Sequence, residues 1–173
     1  LSYDTSARYS SGIVTSDGVD GFGGAPDRYD WTLVGKQELL IGYNAYDLAD
    51  KTVTYDELLT PKYLNPEMTR YELHRVWVVE AQLKEGMRHM YQTRRFYIDE
   101  DSWQIMVSDI YDGRNTLWRL YESHAMQMHD IDTPVSAIEV THDLLSGQYA
   151  TNFMINESKT RAVFGKPASV PDY

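Results

Sequence analysis

The chain has 173 residues, of which 42% are hydrophobic and 24% charged, so it is long and apolar enough for one globular domain, and wholesale disorder is excluded. Its formal net charge of -10 argues against binding to nucleic acid or to an anionic lipid surface, because both need a basic face. The lack of cysteine excludes disulfides, thiolate catalysis and thiolate metal sites.

The first 30 residues have the composition of turns and loops, since serine, glycine and aspartate are frequent there. We predict an irregular segment over residues 1–30, anchored by aromatic side chains such as Tyr9 and Phe22. From Trp31 to Tyr43 the apolar side chains alternate along the chain. This pattern predicts a strand or two with Gly35 at a bulge.

One short helix has a clear start signal. Thr54 and Glu57 fit a capping box, in which the threonine hydroxyl and the glutamate carboxylate each accept a hydrogen bond from a free backbone N–H group. Pro61 is expected to end this helix after about one turn.

The centre of the chain alternates most regularly. Turn signals at 85–86, 99–102 and 112–115 separate strands that we predict over 71–84, 88–98, 103–111 and 117–128. Turns that recur roughly every 12–16 residues are typical of an antiparallel meander. In the first of these strands, one side is predicted to be buried. That side carries Tyr71, Leu73, Trp77, Val79, Ala81 and Leu83.

Beyond the meander, Pro134 is expected to break the pattern before two more strands over 136–141 and 148–155. Residues 166–173 are predicted to form a C-terminal tail. The sequence therefore predicts a mainly β protein, with a curved antiparallel sheet of roughly six to eight strands over residues 31–165 and few short helices. No apolar run approaches the roughly 20 residues that cross a bilayer, so no transmembrane segment is expected.

Ionisable residues interrupt the apolar sides of these strands. A buried unpaired charge is costly, so these groups should pair with one another or face a water-filled concavity. Pairs such as Arg75 with Asp109, or Arg95 with Glu122, would fix the register of the strands. The alternative is a ligand cavity lined by aromatic side chains and oriented by a few polar groups. The predicted ligand-binding residues are Arg75, Trp77, Arg95, Asp109, Trp118 and His124.

The histidines form no recognisable catalytic or metal-binding pattern. His124 and His129 are five positions apart, which places them on opposite faces of a strand and matches no zinc spacing. His142, Asp143 and Ser146 have the residue types of a triad but lack a nucleophile elbow. The sequence therefore predicts no catalytic residue, no metal site and no cofactor.

Several segments resemble a family of Gram-negative envelope proteins that carry the name outer-membrane lipoprotein-sorting protein and form a domain family of unknown function. The most distinctive segment runs over 64–80, with LNP at 64–66 and RYELHRVWVVE at 70–80, and it continues into RRFYIDEDSW at 94–103. The other similar segments are 25–36, 43–46, 111–113 and 117–119. Together these segments cover most of residues 25–125.

This resemblance implies a fold similar to that of the lipoprotein carriers LolA and LolB, an incomplete and strongly curved antiparallel barrel with helices at its open side. It also implies a periplasmic or outer-membrane-associated protein that is longer than this chain. Because the chain begins at Leu1 and not at Met, we expect its targeting segment to lie outside this sequence. The family has no established catalytic residues to transfer.

Three functions remain open at this point. The leading hypothesis is a non-enzymatic envelope protein that binds a hydrophobic ligand, such as a lipid or the acyl chains of a lipoprotein, in a concave cavity of the sheet. The second is a structural or protein-interaction domain that partners an envelope transporter, with its concave face filled and its charges paired. The third is a hydrolase that uses His124 or His142 to cleave an ester.

Overall fold

The computed structural model describes residues 7–159 of the chain. Within this range the polypeptide forms nine β-strands and one α-helix. In chain order they are β1 (Arg8–Tyr9), β2 (Val14–Thr15), β3 (Tyr29–Gly42), α1 (Tyr55–Leu58), β4 (Tyr71–Leu83), β5 (Tyr91–Asp99), β6 (Ile105–Asp112), β7 (Leu117–Met128), β8 (Thr133–Asp143) and β9 (Gln148–Asn152). The predicted tail over residues 166–173 lies outside the described range.

Most of the chain folds into one antiparallel sheet. Strands β3 to β9 follow each other in sequence order, and each is hydrogen-bonded to the next. The end of β3 also reaches β7, where Gly42 pairs with His124 in parallel. The sheet therefore curves into a ring that is not a closed barrel, which confirms the predicted strongly curved sheet with few short helices.

Local signals in the sequence predicted several features of the strands. The segment after Trp31 is a single strand, β3, and its register against β4 shifts between Leu33 and Gly35, as expected for a bulge. Gly35 has a φ of 147°, a conformation that side chains with a Cβ rarely adopt. Phe153 has a positive φ of 65° directly after β9, so the last strand ends at Asn152 and not near residue 155.

The prediction that Pro134 breaks the pattern is wrong. Pro134 is the second residue of β8 and lies opposite Gln127 of β7. Proline is tolerated near the start of a strand, where the missing N–H removes little of the hydrogen-bond ladder. Its carbonyl accepts a hydrogen bond from Gln104 Nε2 at 2.9 Å.

Helix α1 begins with the predicted capping box. The Thr54 backbone N–H donates to Glu57 Oε2 at 2.9 Å, and the Glu57 backbone N–H donates to Thr54 Oγ1 at 3.3 Å. Leu58 at its end is fully buried in a cluster with Ile138 and Val140 of β8. The connection between β3 and β4 is thereby folded against β8.

The strand registers define two faces of the sheet, because residues directly opposite each other on neighbouring strands point to the same side. One row across β4 to β8 consists of Ala81, Arg94, Ile110, Arg119 and Asp143. We call this side the covered face, since the N-terminal segment packs on it. The other side is called the opposite face. On the opposite face, the row one residue away consists of Glu80, Arg95, Asp109, Leu120 and His142.

Phe22 is a main anchor of the N-terminal segment on the covered face, as predicted. Its ring centroid lies 5.6 Å from that of Phe96 and 5.8 Å from that of Tyr29, in edge-to-face contacts. Ile13 and Val14 of the same segment are buried. The side chain of Tyr9, the other predicted anchor, lies outside the described part of the structure.

The predicted burial of one side of β4 holds for only half of the strand. Ala81 is buried as expected, but Leu73 is 63% exposed, and the even-numbered Val76 is fully buried. The reason is the curvature of the sheet. Near the junction of β3 with β7, Val76 packs with Ile41 inside the ring, so the opposite face is the buried one at this end.

The contact of β3 with β7 gives a first prediction. A Cβ added at Gly42 would lie 2.8 Å from His124 Cγ and 3.0 Å from His124 Cα. We expect Gly42→Ala to lower the free energy of unfolding by about 1–3 kcal/mol, because the crowded backbone must move apart. Urea denaturation measures the loss. The control is Gly113→Ala, whose Cβ would meet no atom within 4 Å and should change stability by less than about 0.5 kcal/mol.

Candidate functional site

A buried polar cluster joins the N-terminal segment to the covered face. Arg94, which has no exposed surface, donates to Asp17 Oδ2 at 2.5 Å and to the Tyr29 hydroxyl at 3.3 Å. His89 Nε2 lies 3.2 Å from the same Asp17 oxygen, and Thr15 Oγ1 donates to Asp17 Oδ1 at 2.8 Å. Burial alone would raise the pKa of the Asp17 carboxyl, but hydrogen bonding to His89 and the charge of Arg94 hold it below its usual value.

A second buried arginine repeats this arrangement two strands away. Arg119 donates to the carbonyls of Ile13 and Gly12 and to the Tyr91 hydroxyl, and its Nε lies 3.6 Å from Asp143 Oδ2. Both arginines thus fix the N-terminal segment by satisfying its polar groups. The serine- and glycine-rich composition of residues 1–30 gave no signal that Asp17 would be the partner of a strand arginine.

Glu139 of β8 is the third buried polar group beneath this segment. Its Oε1 accepts a hydrogen bond from the Tyr121 hydroxyl at 2.7 Å, and its Oε2 accepts one from the Asp20 backbone N–H at 3.3 Å. No cation balances the charge in the described surroundings of this carboxyl. Burial raises the pKa of Glu139 to about 7, although these hydrogen bonds oppose the shift.

On the opposite face, two predicted site residues lie side by side. Arg95 is directly across from Asp109 but pairs with Glu80, whose Oε2 accepts from Arg95 Nη2 at 2.7 Å. Asp109 accepts from the Tyr97 hydroxyl at 2.8 Å; burial and this carboxylate raise the pKa of Tyr97 to about 12. The polar pocket beside them, of about 340 Å³, is lined by Glu80, Gln82, Thr93, Arg95, Tyr111 and Asn115.

The two ion pairs predicted from the sequence, Arg75 with Asp109 and Arg95 with Glu122, are therefore wrong, because each arginine has another partner. Arg75 pairs with Glu100, not with Asp109, at 2.6 Å between Nε and Oε1, and Arg95 pairs with Glu80, not with Glu122. Arg75 and Asp109 are on different faces of the sheet, and Arg95 and Glu122 are separated by β6. The alternation of the sequence indicated that charges would pair, but the register between strands decided which ones meet.

Glu122 is instead the centre of a histidine cluster. His142 Nε2 lies 3.2 Å from Glu122 Oε1, and the Tyr71 hydroxyl donates to Glu122 Oε2 at 3.2 Å. The predicted site residue His124 is fully buried beside it, with Nε2 3.7 Å from Glu122 Oε1. Burial would raise the pKa of Glu122, but hydrogen bonds and charge from the two histidines hold it well below its ordinary value.

The covered face continues over β3 and β4 beyond the N-terminal segment. There a strip of its apolar side chains is exposed. Leu40 lies directly opposite Leu73, and both are more than 60% exposed. Leu33 is also more than 60% exposed, and Trp31 is 40% exposed. We call this set the apolar strip. It consists of Trp31, Leu33, Leu40, Leu73, Trp77 and Val79.

A small charged cluster interrupts the apolar strip. Lys36 lies opposite Trp77 with its Nζ 4.0 Å from the ring centroid, a cation–π contact. Glu100 bridges the two cations of the cluster, since its carboxylate oxygens lie 2.6 Å from Lys36 Nζ and 2.6 Å from Arg75 Nε. Two positive charges thus share one carboxylate within an apolar surface.

The six predicted site residues do not converge on one site. Trp77 belongs to the apolar strip and Arg75 to the charged cluster that interrupts it, whereas Arg95 and Asp109 lie on the opposite face. Trp118 donates its indole N–H to Asp143 Oδ2 at 3.0 Å and packs against Arg119. A groove of about 570 Å³ lies beside β9 and includes none of the six.

The buried charge pair of the N-terminal segment leads to a second prediction. Asp17→Asn leaves Arg94 buried without a counter-charge, so we expect a loss of about 3–5 kcal/mol in the free energy of unfolding. The double variant Asp17→Asn/Arg94→Met removes both charges and should recover most of this loss. Equal losses in the single and double variants, measured by urea denaturation, would show that the charge pair is not what holds this segment.

The raised pKa of Glu139 gives a third prediction, on stability against pH. Because the folded protein holds this proton up to about pH 7 while the unfolded chain releases it near 4.5, stability falls as pH rises between these values. Glu139→Gln should remove this fall and raise the free energy of unfolding by roughly 3 kcal/mol above pH 7 relative to wild type. Denaturation between pH 4 and 8 measures it, with the exposed Glu38→Gln as the control that keeps the wild-type slope.

Comparison with known proteins identifies the family of the chain. The model of DUF1329, described as a protein of unknown function, matches residues 1–173. The chain is 50% identical to uncharacterized protein PA3922 of Pseudomonas aeruginosa over 173 residues, which is all of this chain and 38% of that protein. No helix within residues 7–159 is long and apolar enough to span a membrane.

Two solved structures share the fold. One is a putative outer membrane lipoprotein-sorting protein domain from Vibrio parahaemolyticus, with a TM-score of 0.52, 9% identity, and coverage of 85% of this chain and 47% of that one. The other is a DUF1329 family protein from Desulfovibrio piger, with a TM-score of 0.54, 13% identity, and coverage of 87% and 48%. The chain spans less than half the length of these relatives. The resemblance found in the sequence is thereby confirmed, and the chain belongs to the DUF1329 family.

Proposed function

We propose that this protein is a non-enzymatic component of the Gram-negative cell envelope that binds a hydrophobic ligand, such as a lipid or the acyl chains of a lipoprotein, on the apolar strip. The observation that carries the proposal is the strip itself. On the rest of the same face, the chain's own N-terminal segment covers the apolar side chains, whereas Leu33, Leu40 and Leu73 stay exposed. The envelope setting is supported by the name of the Vibrio parahaemolyticus structure with the same fold.

The strip fits an extended acyl chain. From Leu73 to Val79 on β4 the strip runs for about 20 Å at the usual rise of a strand, which is close to the extended length of a common acyl chain. Each CH₂ group removed from water would contribute about 0.8 kcal/mol. Burial of about ten such groups would supply the roughly 8 kcal/mol that micromolar affinity requires.

The charged cluster on the strip would orient the head of the ligand. Arg75 and Lys36 share the carboxylate of Glu100, and Glu38 lies directly opposite Arg75 on the same face without an ion pair to it within residues 7–159. A carboxylate or phosphate of the ligand can accept charge-assisted hydrogen bonds from either cation. The polar pocket beside Arg95 is less suitable, because its lining offers charged and amide groups and little apolar surface.

A specific observation favours a second candidate, a protein-interaction domain that partners an envelope transporter. The outer edge of β3 has no neighbouring strand in the described part of the chain from Tyr29 to Ile41. Unpaired backbone groups along an edge strand can be extended by a strand of a partner. On the opposite face Arg95 is also paired with Glu80, and Asp109 accepts a hydrogen bond from Tyr97, which agrees with a face that holds no ligand.

A fatty-acid probe whose fluorescence depends on polarity tests the lipid proposal. We expect micromolar binding by the protein and a loss of about tenfold or more in the double variant Leu33→Gln/Leu73→Gln, since two apolar contacts are each replaced by a neutral polar group that adds no charge for the carboxylate. The matched control is Leu145→Gln, because Leu145 is as exposed as Leu33 at 62% but lies in the turn before β9.

The variant Arg75→Gln tests the contribution of the ligand's head group separately from that of its acyl chain. It should weaken binding of the fatty acid but leave binding of the corresponding methyl ester unchanged, because the ester has no carboxylate to pair. Absence of probe binding, or equal binding by the strip variant and the Leu145 control, would contradict the lipid proposal and leave the protein-interaction domain as the better account.

A further inference from the structure

A histidine and two aspartates meet at the turn between β5 and β6, away from the apolar strip's exposed leucines. His74 Nδ1 of β4 lies 2.9 Å from Asp99 Oδ1 at the end of β5. A carboxylate oxygen of Asp101 completes the set, and the three ligand atoms all lie within 4.8 Å of one another. Two ligands at about 2.1 Å from one metal ion are at most about 4.2 Å apart. The 2.9 Å between His74 Nδ1 and Asp99 Oδ1 meets this limit, and the exposed Asp101 side chain can move closer to join them.

Asp99 is held in place for such a role. Its side chain is fully buried, and its Oδ2 accepts hydrogen bonds from the Ser102 backbone N–H at 2.9 Å and from Ser102 Oγ at 2.7 Å. This leaves Oδ1 directed at the histidine. A metal-binding carboxylate is usually fixed in this way by hydrogen bonds to its second oxygen.

His74 has the outer partners that metal-bound histidines have. Its far nitrogen, Nε2, lies 3.7 Å from Glu72 Oε2, and Glu72 is itself fixed by Asn44 Nδ2 at 2.8 Å. The ring of Tyr43 packs on the imidazole with 4.3 Å between centroids. Because Asp99 Oδ1 is 2.9 Å from Nδ1, the Nδ1 proton is donated to this carboxylate, and a cation bound between the two atoms would replace that proton.

The negative charge of the cluster is not balanced by lysine or arginine. The nearby cations Lys36 and Arg75 both pair with Glu100, and Arg70 pairs with Glu72. Within residues 7–159, the Asp101 carboxylate has no hydrogen-bond or ion-pair partner.

We propose that His74, Asp99 and Asp101 form a binding site for a zinc-type divalent cation. One imidazole nitrogen and two carboxylate oxygens are ligands that Zn²⁺ accepts, and three protein ligands leave a fourth position for water. The sequence spacing did not reveal this site, because His74 and Asp99 are 25 residues apart and meet only through the register of β4 with β5. None of its three ligands belongs to the apolar strip or to the charged cluster, but Glu100 of that cluster lies between Asp99 and Asp101 in the chain.

Titration calorimetry of the untagged protein with ZnCl₂ tests the proposal. We expect one Zn²⁺ per chain, and weaker binding of Mn²⁺ at the same site. Asp101→Asn should weaken Zn²⁺ binding at least tenfold without loss of fold, because this side chain is exposed. Glu72→Gln should weaken it by about 10–100-fold through the orientation of His74.

The control is the exposed pair His129 and Asp130, a second histidine and aspartate outside the cluster. The variant His129→Ala/Asp130→Asn should bind Zn²⁺ as wild type does, and circular dichroism should show the same fold for all variants. Absence of stoichiometric Zn²⁺ binding by wild type would overturn the proposal. Unchanged binding by Asp101→Asn, or loss of binding in the His129 and Asp130 variant, would overturn it as well.

Discussion

The ion pair of Asp17 with Arg94 is the contact on which the covered face depends. Both side chains are buried, so neither charge is tolerable unless the other is in place. The pair fixes the N-terminal segment across the middle of the sheet, and Phe22 of that segment then covers Phe96. The other contacts of the segment form around this fixed pair. The apolar strip begins where the N-terminal segment no longer covers the sheet.

The curvature of the sheet separates the predicted site residues. Because β3 meets β7 at Gly42, the opposite face becomes the interior of the ring at that end, while the covered face is exposed over the first half of β4. Leu73 and Ala81 point to the same side of β4, but Leu73 is consequently exposed and Ala81 is buried. The exposed apolar side chains are therefore outside the ring, whereas Ile41 and Val76 fill its interior near Gly42.

Local patterns predicted the elements well, since their causes are local. The capping box at Thr54, the bulge at Gly35 and the meander after Tyr71 each depend on neighbours within a few residues. The partners of Arg75 and Arg95 depend on the register between strands, which alternation does not specify. The contacts of Asp17 and His74 join distant segments, so no local pattern could predict them.

The N-terminal segment differs from the sheet in the sequence distance of its contacts. Strands β3 to β9 pair with their neighbours in sequence, whereas Asp17 is 77 residues from Arg94, and Asp20 is 119 residues from Glu139. Closing such long loops is slow, so the meander should form first and the segment should dock last. Native-state opening would follow the reverse order, with this segment as the first cooperative unit to detach.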